Sequence, residues 1–247
     1  MNRIIRTAAG CCIGLIFCVS AAAQSVDRPE VRAGDSWIYR TTQETGKAGW
    51  NQVRDELTVT RVTGSTIYFE VRPAGSSQPP KEIYRGSDWS TTRDVNGKET
   101  SVMRPLSFPL APGKTWAVTY TEQNPNKKLS TETWDDKYTA VGYEMIEVPA
   151  GKYRALKIEA EGRWSAQLAP SQTITQGAQS RAGGATMSTE IEKTTAKDVS
   201  GRLYKAYWYV PEIKRWVKSV EEDYDSGGVR NGRRTMELES YKAAGSG

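Results

Sequence analysis

The sequence predicts an all-β protein, built as an antiparallel barrel, a half-barrel or a sandwich. Three observations carry that prediction. Val, Ile, Thr, Tyr and Trp alternate with polar residues over most of the chain, Gly and Pro punctuate the alternating runs, and no stretch shows an apolar stripe at helical spacing. The chain has 247 residues, 37% hydrophobic and 26% charged, which is ordinary for a soluble globular domain. It has 8 Trp and 12 Tyr against 3 Phe, so amphipathic aromatics are the main large side chains available to a core or a binding site. With 0 His, Ser-His-Asp and Cys-His catalysis and His-ligated zinc are excluded.

Residues 1–23 read as a secretory signal. Arg3 and Arg6 form a basic start, residues 8–19 an apolar run, and Ser20-Ala21-Ala22-Ala23 a small-residue site that predicts cleavage before Gln24. The apolar run is shorter than the roughly 20 residues that span a bilayer, so no membrane anchor is expected after processing. All 3 cysteines, Cys11, Cys12 and Cys18, lie inside this segment, and the exported chain is left to rely on burial rather than disulfides. Cys11 lies near the start of the apolar run instead of ending it, which argues against lipidation. The net charge of +5 falls further once Arg3 and Arg6 are removed, so no nucleic-acid partner is expected.

Residues 24–247 read as a single β domain. Trp37 and Tyr39 alternate with Ser36 and Arg40. Val53, Leu57 and Val59 share one strand, Ile67, Phe69 and Val71 the next, and Thr63-Gly64 turns between them. Glu82 to Arg85 follows Pro79-Pro80. Trp116, Val118 and Tyr120 start the middle third, Trp134, Tyr138 and Ala140 continue it, and Pro149-Ala150-Gly151 reverses the chain between 143–148 and 153–158. Segment 165–188, rich in Ala, Gly, Ser, Gln and Thr, reads as a flexible insertion. Strands are expected again at 190–199, 203–210, 215–223 and 235–241, with turns at Ser200-Gly201, Pro211-Glu212 and Gly227-Gly228. The basic cluster from Arg230 to Arg234 reads as a solvated turn, and 242–247 as a frayed tail. Strand 203–210 is apolar on both faces, which points to cover on both sides or to an enclosed cavity.

Gly34-Asp35-Ser36-Trp37 and Gly113-Lys114-Thr115-Trp116 share a G-x-[ST]-W pattern. The echo admits two related halves, or one turn-to-strand solution used twice. Four motifs occur in order: Gly34-Asp35-Ser36-Trp37-Ile38-Tyr39, Phe108-Pro109-Leu110-Ala111-Pro112-Gly113-Lys114-Thr115-Trp116, Val148-Pro149-Ala150-Gly151-Lys152-Tyr153 and Tyr207-Trp208-Tyr209-Val210-Pro211-Glu212. Together they resemble a family of exported bacterial β-proteins classed as a domain of unknown function. The resemblance implies an antiparallel β architecture and an envelope location, and supplies no catalytic residue.

Gly113-Lys114-Thr115 mimics the end of a phosphate-binding loop, but Phe108 stands where that loop needs Gly. Neither a nucleophile elbow nor a dinucleotide fingerprint occurs. Asp135-Asp136 and Glu221-Glu222-Asp223 are the densest carboxylate clusters, yet neighbours on a strand point to opposite faces. No catalytic residue, cofactor or metal site is therefore assigned. The aromatic residues are the stronger signal: Trp208, Tyr209 and Trp216 flank the Pro211 turn, and Trp134 is a further candidate. These four are the predicted ligand-binding residues of an exported, periplasmic or extracellular, non-enzymatic binding protein for a lipid-like or other hydrophobic molecule. The alternatives are an envelope protein-protein interaction or assembly module, and a carbohydrate-active hydrolase using distant carboxylates.

Overall fold

The computed structural model describes residues 25–46, 49–181 and 184–245, so the signal segment lies outside the described residues. Fourteen strands are described: β1 (Ser36–Thr45), β2 (Trp50–Thr63), β3 (Thr66–Pro73), β4 (Lys81–Gly86), β5 (Thr91–Val95), β6 (Lys98–Met103), β7 (Thr115–Asn126), β8 (Leu129–Val148), β9 (Gly151–Leu168), β10 (Ser171–Arg181), β11 (Gly184–Thr194), β12 (Asp198–Val210), β13 (Arg215–Asp225) and β14 (Arg230–Lys242). Ten of them form one antiparallel sheet in the order β4-β3-β2-β1-β14-β13-β12-β9-β8-β7. Two meanders, β1 to β4 and β7 to β14, are joined where β14 pairs with β1.

The sheet is open. Its edges, β4 and β7, do not pair with each other, and the separate β5–β6 hairpin stands between them, with β5 touching both edges and β6 touching β7. Of the three expected architectures, the closed barrel is thereby set aside in favour of an open, half-barrel arrangement. Strong curvature follows from the core: side chains from β2, β3, β4, β12, β13 and β14 all line one cavity, which a flat sheet of that width would not allow. Trp37, Tyr39, Tyr138, Ile158, Tyr207 and Leu238 are fully buried on this inner side.

The G-x-[ST]-W echo has a structural counterpart. Gly34 and Gly113 take positive φ values of 96° and 86°, a conformation open to Gly because it lacks a Cβ. Gly34 N–H donates to Val59 O at 2.8 Å and Val59 N–H returns a bond to Asp35 O at 2.9 Å. Gly113 N–H donates to Ala140 O at 2.7 Å and Ala140 N–H returns a bond to Lys114 O at 2.8 Å. Each indole that follows also finds a backbone carbonyl, Trp37 at Ile213 O (2.9 Å) and Trp116 at Arg104 O (2.8 Å).

Several sequence expectations change. The insertion at 165–188 is built from strands: 165–168 finish β9, and β10 and β11 pair along their length as a two-stranded hairpin between β9 and β12. Thr and Gln support extended backbone pairing even where large apolar side chains are scarce. Ser200-Gly201 is not a turn but part of β12, where a Cβ on Gly201 would come within 2.2 Å of Tyr224 O; Gly is there for close strand approach. Asn231-Gly232 likewise lie inside β14, beside an irregularity between Asp223 and Tyr224. The tail is docked through Ala244, whose N–H donates to Asp35 Oδ1 at 2.9 Å. The β5–β6 hairpin was not anticipated, although Asn96-Gly97, with φ of 55° and 81°, is a strong two-residue hairpin signal.

Candidate functional site

The Pro211 turn organises the inner side of the sheet. After β12, Pro211–Ile213 form one 3-10 turn that ends at Lys214 with φ 63°. Trp37 and Trp89 donate their indole N–H groups to the carbonyls of Ile213 (2.9 Å) and Lys214 (3.0 Å). The Lys214 ammonium reaches the fully buried Asp35 carboxylate at 2.8 and 3.0 Å, and the same carboxylate accepts from Arg32 N–H at 2.8 Å. Thus the G-D-S-W and Y-W-Y-V-P-E motifs meet in space, as an anchor whose polar groups are satisfied.

Beside that anchor lies a cavity of about 240 Å³. Trp89, Trp216, Tyr207 and Phe69 form its aromatic floor; Leu57, Val71, Ile83, Met103 and Met236 supply aliphatic wall. The floor is one edge-to-face cluster: Trp89 meets Phe69 at 5.9 Å and Trp216 at 6.2 Å between ring centroids, and Trp216 meets Tyr207 at 5.2 Å. Arg215 sits in the floor, 7% exposed, with its guanidinium carbon 4.4 Å from the Trp216 ring centroid, 4.6 Å from Trp89 and 5.1 Å from Tyr39. Its Nε and Nη1 have no hydrogen-bond partner among the described residues. Burial holds the Arg215 guanidinium down to about 10, with Arg85 and Arg234 pushing the same way and Tyr39 opposing. Burial in turn pushes the Tyr39 hydroxyl up to about 12, against the pull of Arg215.

The rim of the cavity is charged. The half-buried Arg85 and the exposed Arg234 line it, as do the carboxylates of Asp55 and Glu221. Glu221 accepts a hydrogen bond from Tyr207 at 3.2 Å, and no ion pair joins Arg85, Arg215 or Arg234 to a carboxylate among the described residues.

Of the four aromatic candidates, Trp216 lines this cavity. Tyr209 is fully buried one residue past an irregularity in β12 and packs on Phe108 at 5.6 Å. Trp208 belongs to the outer face, where its indole donates to Glu144 and its ring lies between Lys157 at 5.5 Å and Lys218 at 6.0 Å. This explains the two-faced strand: tyrosines enter the core on one side, and lysine stems cover an indole on the other. Trp134 stands at the far end of β8, stacked on Tyr120 at 6.5 Å and beside Trp164 at 6.5 Å. Arg215, Arg85 and Trp89 were missed as site residues, and Arg234 was read as a solvated cation. The available signal was Arg215 opening a strand whose other early residues are apolar.

Other concavities are less suited to a ligand with an apolar part. An outer groove of about 610 Å³ carries Asp135, Glu161 and Glu222 against Lys137, Arg163 and Arg202, a surface that balances itself. Asp136 lies on β8 and Glu221 on β13, three strands apart in the sheet, and Glu221 is engaged by the Tyr207 hydroxyl. Asp136 is instead held by the Lys205 ammonium.

No helix among the described residues is long and apolar enough to cross a membrane. No protein-family model and no curated protein matches the chain. Among solved structures, it is similar to a protein of Parabacteroides distasonis ATCC 8503 provisionally described as a lipoprotein, with 13% identity and a TM-score of 0.44, covering 89% of this chain and 100% of that one. It is also similar to a protein of Bacteroides fragilis NCTC 9343 provisionally described as exported, with a YmcC-like fold, at 13% identity and a TM-score of 0.41 over the same shares.

Proposed function

We propose that the protein is an exported, non-enzymatic binding protein that takes a hydrophobic ligand in the cavity on the inner side of its sheet. The observation that carries this reading is the aromatic floor of Trp89, Trp216, Tyr207 and Phe69 beneath a rim that reaches solvent. Concave sites with mostly apolar walls and a few converging polar groups are the usual form of small-molecule pockets. The volume of about 240 Å³ equals roughly eight water molecules at ~30 Å³ each, so it accommodates a compact molecule or one end of a longer one. Export rests on the signal pattern of residues 1–23, and membership of the exported β-protein family on the four motifs.

Two measurements test this. N-terminal sequencing of the protein from its own cell should find Gln24 first; retention of Met1 would remove export. A panel of neutral and anionic amphiphiles should change Trp fluorescence saturably, because two Trp rings form the floor, and Val71→Trp should abolish that response by filling the wall. A panel with no saturable member would overturn the binding function.

A further inference from the structure

We propose that the ligand is a small amphipathic anion, a carboxylate or phosphate on an apolar body, whose charged group is received by Arg215 with Arg85 and Arg234 at the rim. The inference rests on the binding function proposed above and specifies its ligand class. Its carrying observation is the state of Arg215: 93% of the residue is out of solvent, it lines the cavity, and two of its guanidinium nitrogens have no acceptor among the described residues. Buried donors are almost always paired, and buried charges more strictly so. The three aromatic rings around the guanidinium stabilise a cation by their faces, and the Tyr39 hydroxyl, which itself donates to Trp216 O, leaves Nε and Nη1 without an acceptor among the described residues. An anion entering the cavity would supply the missing acceptors in the fork geometry that guanidinium favours for carboxylate and phosphate.

Charge balance points the same way. Arg85, Arg215 and Arg234 line the cavity against Asp55 and Glu221, leaving one positive charge in excess. Glu221 is already engaged by the Tyr207 hydroxyl, and neither carboxylate is paired with these arginines. The apolar wall formed by Phe69, Val71 and Ile83 then selects an anion with a hydrophobic body over a bare inorganic ion.

The test uses the purified protein with three probes: octanoate, 1-octanol and acetate, titrated by Trp fluorescence and by calorimetry. Octanoate should bind at least about tenfold more tightly than either of the others, since a charge-assisted bond contributes roughly twice a neutral one and the alkyl body adds its burial. Arg215→Met should erase the preference for octanoate over octanol. Arg234→Gln, at an exposed position where folding is not at risk, should reduce octanoate affinity about threefold and lower its ratio to octanol. Equal binding of octanol and octanoate, or an unchanged ratio in both variants, would overturn the anion while leaving the hydrophobic site standing. Acetate binding as tightly as octanoate would overturn the amphipathic ligand. Failure of all three probes would remove the binding function itself.

Discussion

Lys214, which closes the Pro211 turn, and Arg215, which opens β13, are consecutive cations, and their two surroundings treat them oppositely. Lys214 meets Asp35, a carboxylate that also accepts bonds from backbone N–H groups and the Tyr241 hydroxyl. Arg215, one residue on, meets three aromatic rings, two like charges nearby and no carboxylate. The outer face of the same strands resembles the first case: Glu237 is shared by Arg40 at 2.9 Å and Lys218 at 3.0 Å, and Glu159 takes Lys157 at 2.7 Å. Where this protein uses charge to hold strands together, it supplies the partner. The unpaired Arg215 beside such provision is what the proposed anionic ligand would complete.

The largest effect should come from Trp89, which belongs to both surroundings: its N–H bonds Lys214 O and its face meets Arg215. Trp89→Ala should cost about 3–5 kcal/mol in chemical denaturation, because a fully buried indole leaves a cavity that the sheet cannot close. Lys214→Met should cost a similar ~3–5 kcal/mol, since Asp35 would remain buried without its cation. Arg215→Met should do the reverse, leaving stability unchanged or raising it by ~1 kcal/mol or more, as replacement of a buried charge by an apolar chain commonly does. A loss for Arg215→Met as large as that for Lys214→Met would break the contrast between the two cations.

Alkaline titration sharpens it further. Burial raises the hydroxyls of Tyr39 and Tyr241 to about 12 and those of Tyr138, Tyr207 and Tyr209 higher still, so their contribution to stability is complete below pH ~10 and is lost as pH rises through the folded values. Arg215 works in the opposite sense: its folded value of about 10 lies below the free value of 12.5, so its penalty is present below pH 10 and is relieved above it. Native protein should therefore show delayed tyrosinate absorbance, followed by unfolding above pH ~10, and Arg215→Met, lacking the relief, should lose stability more steeply with pH. Parallel slopes would remove Arg215 from the account. The smallest effect belongs to the outer face, where Lys218→Ala should change stability by no more than ~1 kcal/mol, and less at high salt, because Glu237 keeps Arg40 as a partner and water reaches the pair.

The strands were legible because alternation reports burial directly: Trp37 and Tyr39, Leu57 and Val59, and Ile67 and Phe69 all point inward as their spacing implies. Turn positions were legible where Gly takes a positive φ, as at Gly64 and Gly151, and misleading at Gly201, where Gly serves packing instead. Trp216 was identifiable because it follows a turn in an aromatic-rich hairpin, whereas Trp208 is set apart from Tyr209 and Trp216 by an irregularity in β12 that no local pattern announces. Arg215 was not legible as a site because whether an arginine is solvated depends on residues of β1, β4 and β14, far away in sequence. The role of the Asp35 motif was hidden for the same reason: its cation and its last donor come from Lys214 and Ala244.

The pairing of β1 with β14 has a consequence for how the chain is made. Among the described residues the two meanders share backbone pairing only through this ladder, and the Tyr241 hydroxyl reaches Asp35 across 206 residues. A polypeptide emerging amino end first, from a ribosome or through a membrane pore, can assemble each meander separately but cannot join them until β14 has cleared the exit. Until then, the free side of β1 presents unpaired backbone groups, the kind of edge that recruits foreign strands. Such long-range closure makes completion slow relative to the local hairpins. The interval before β14 arrives is therefore the one in which the β1 edge is most open to foreign strands.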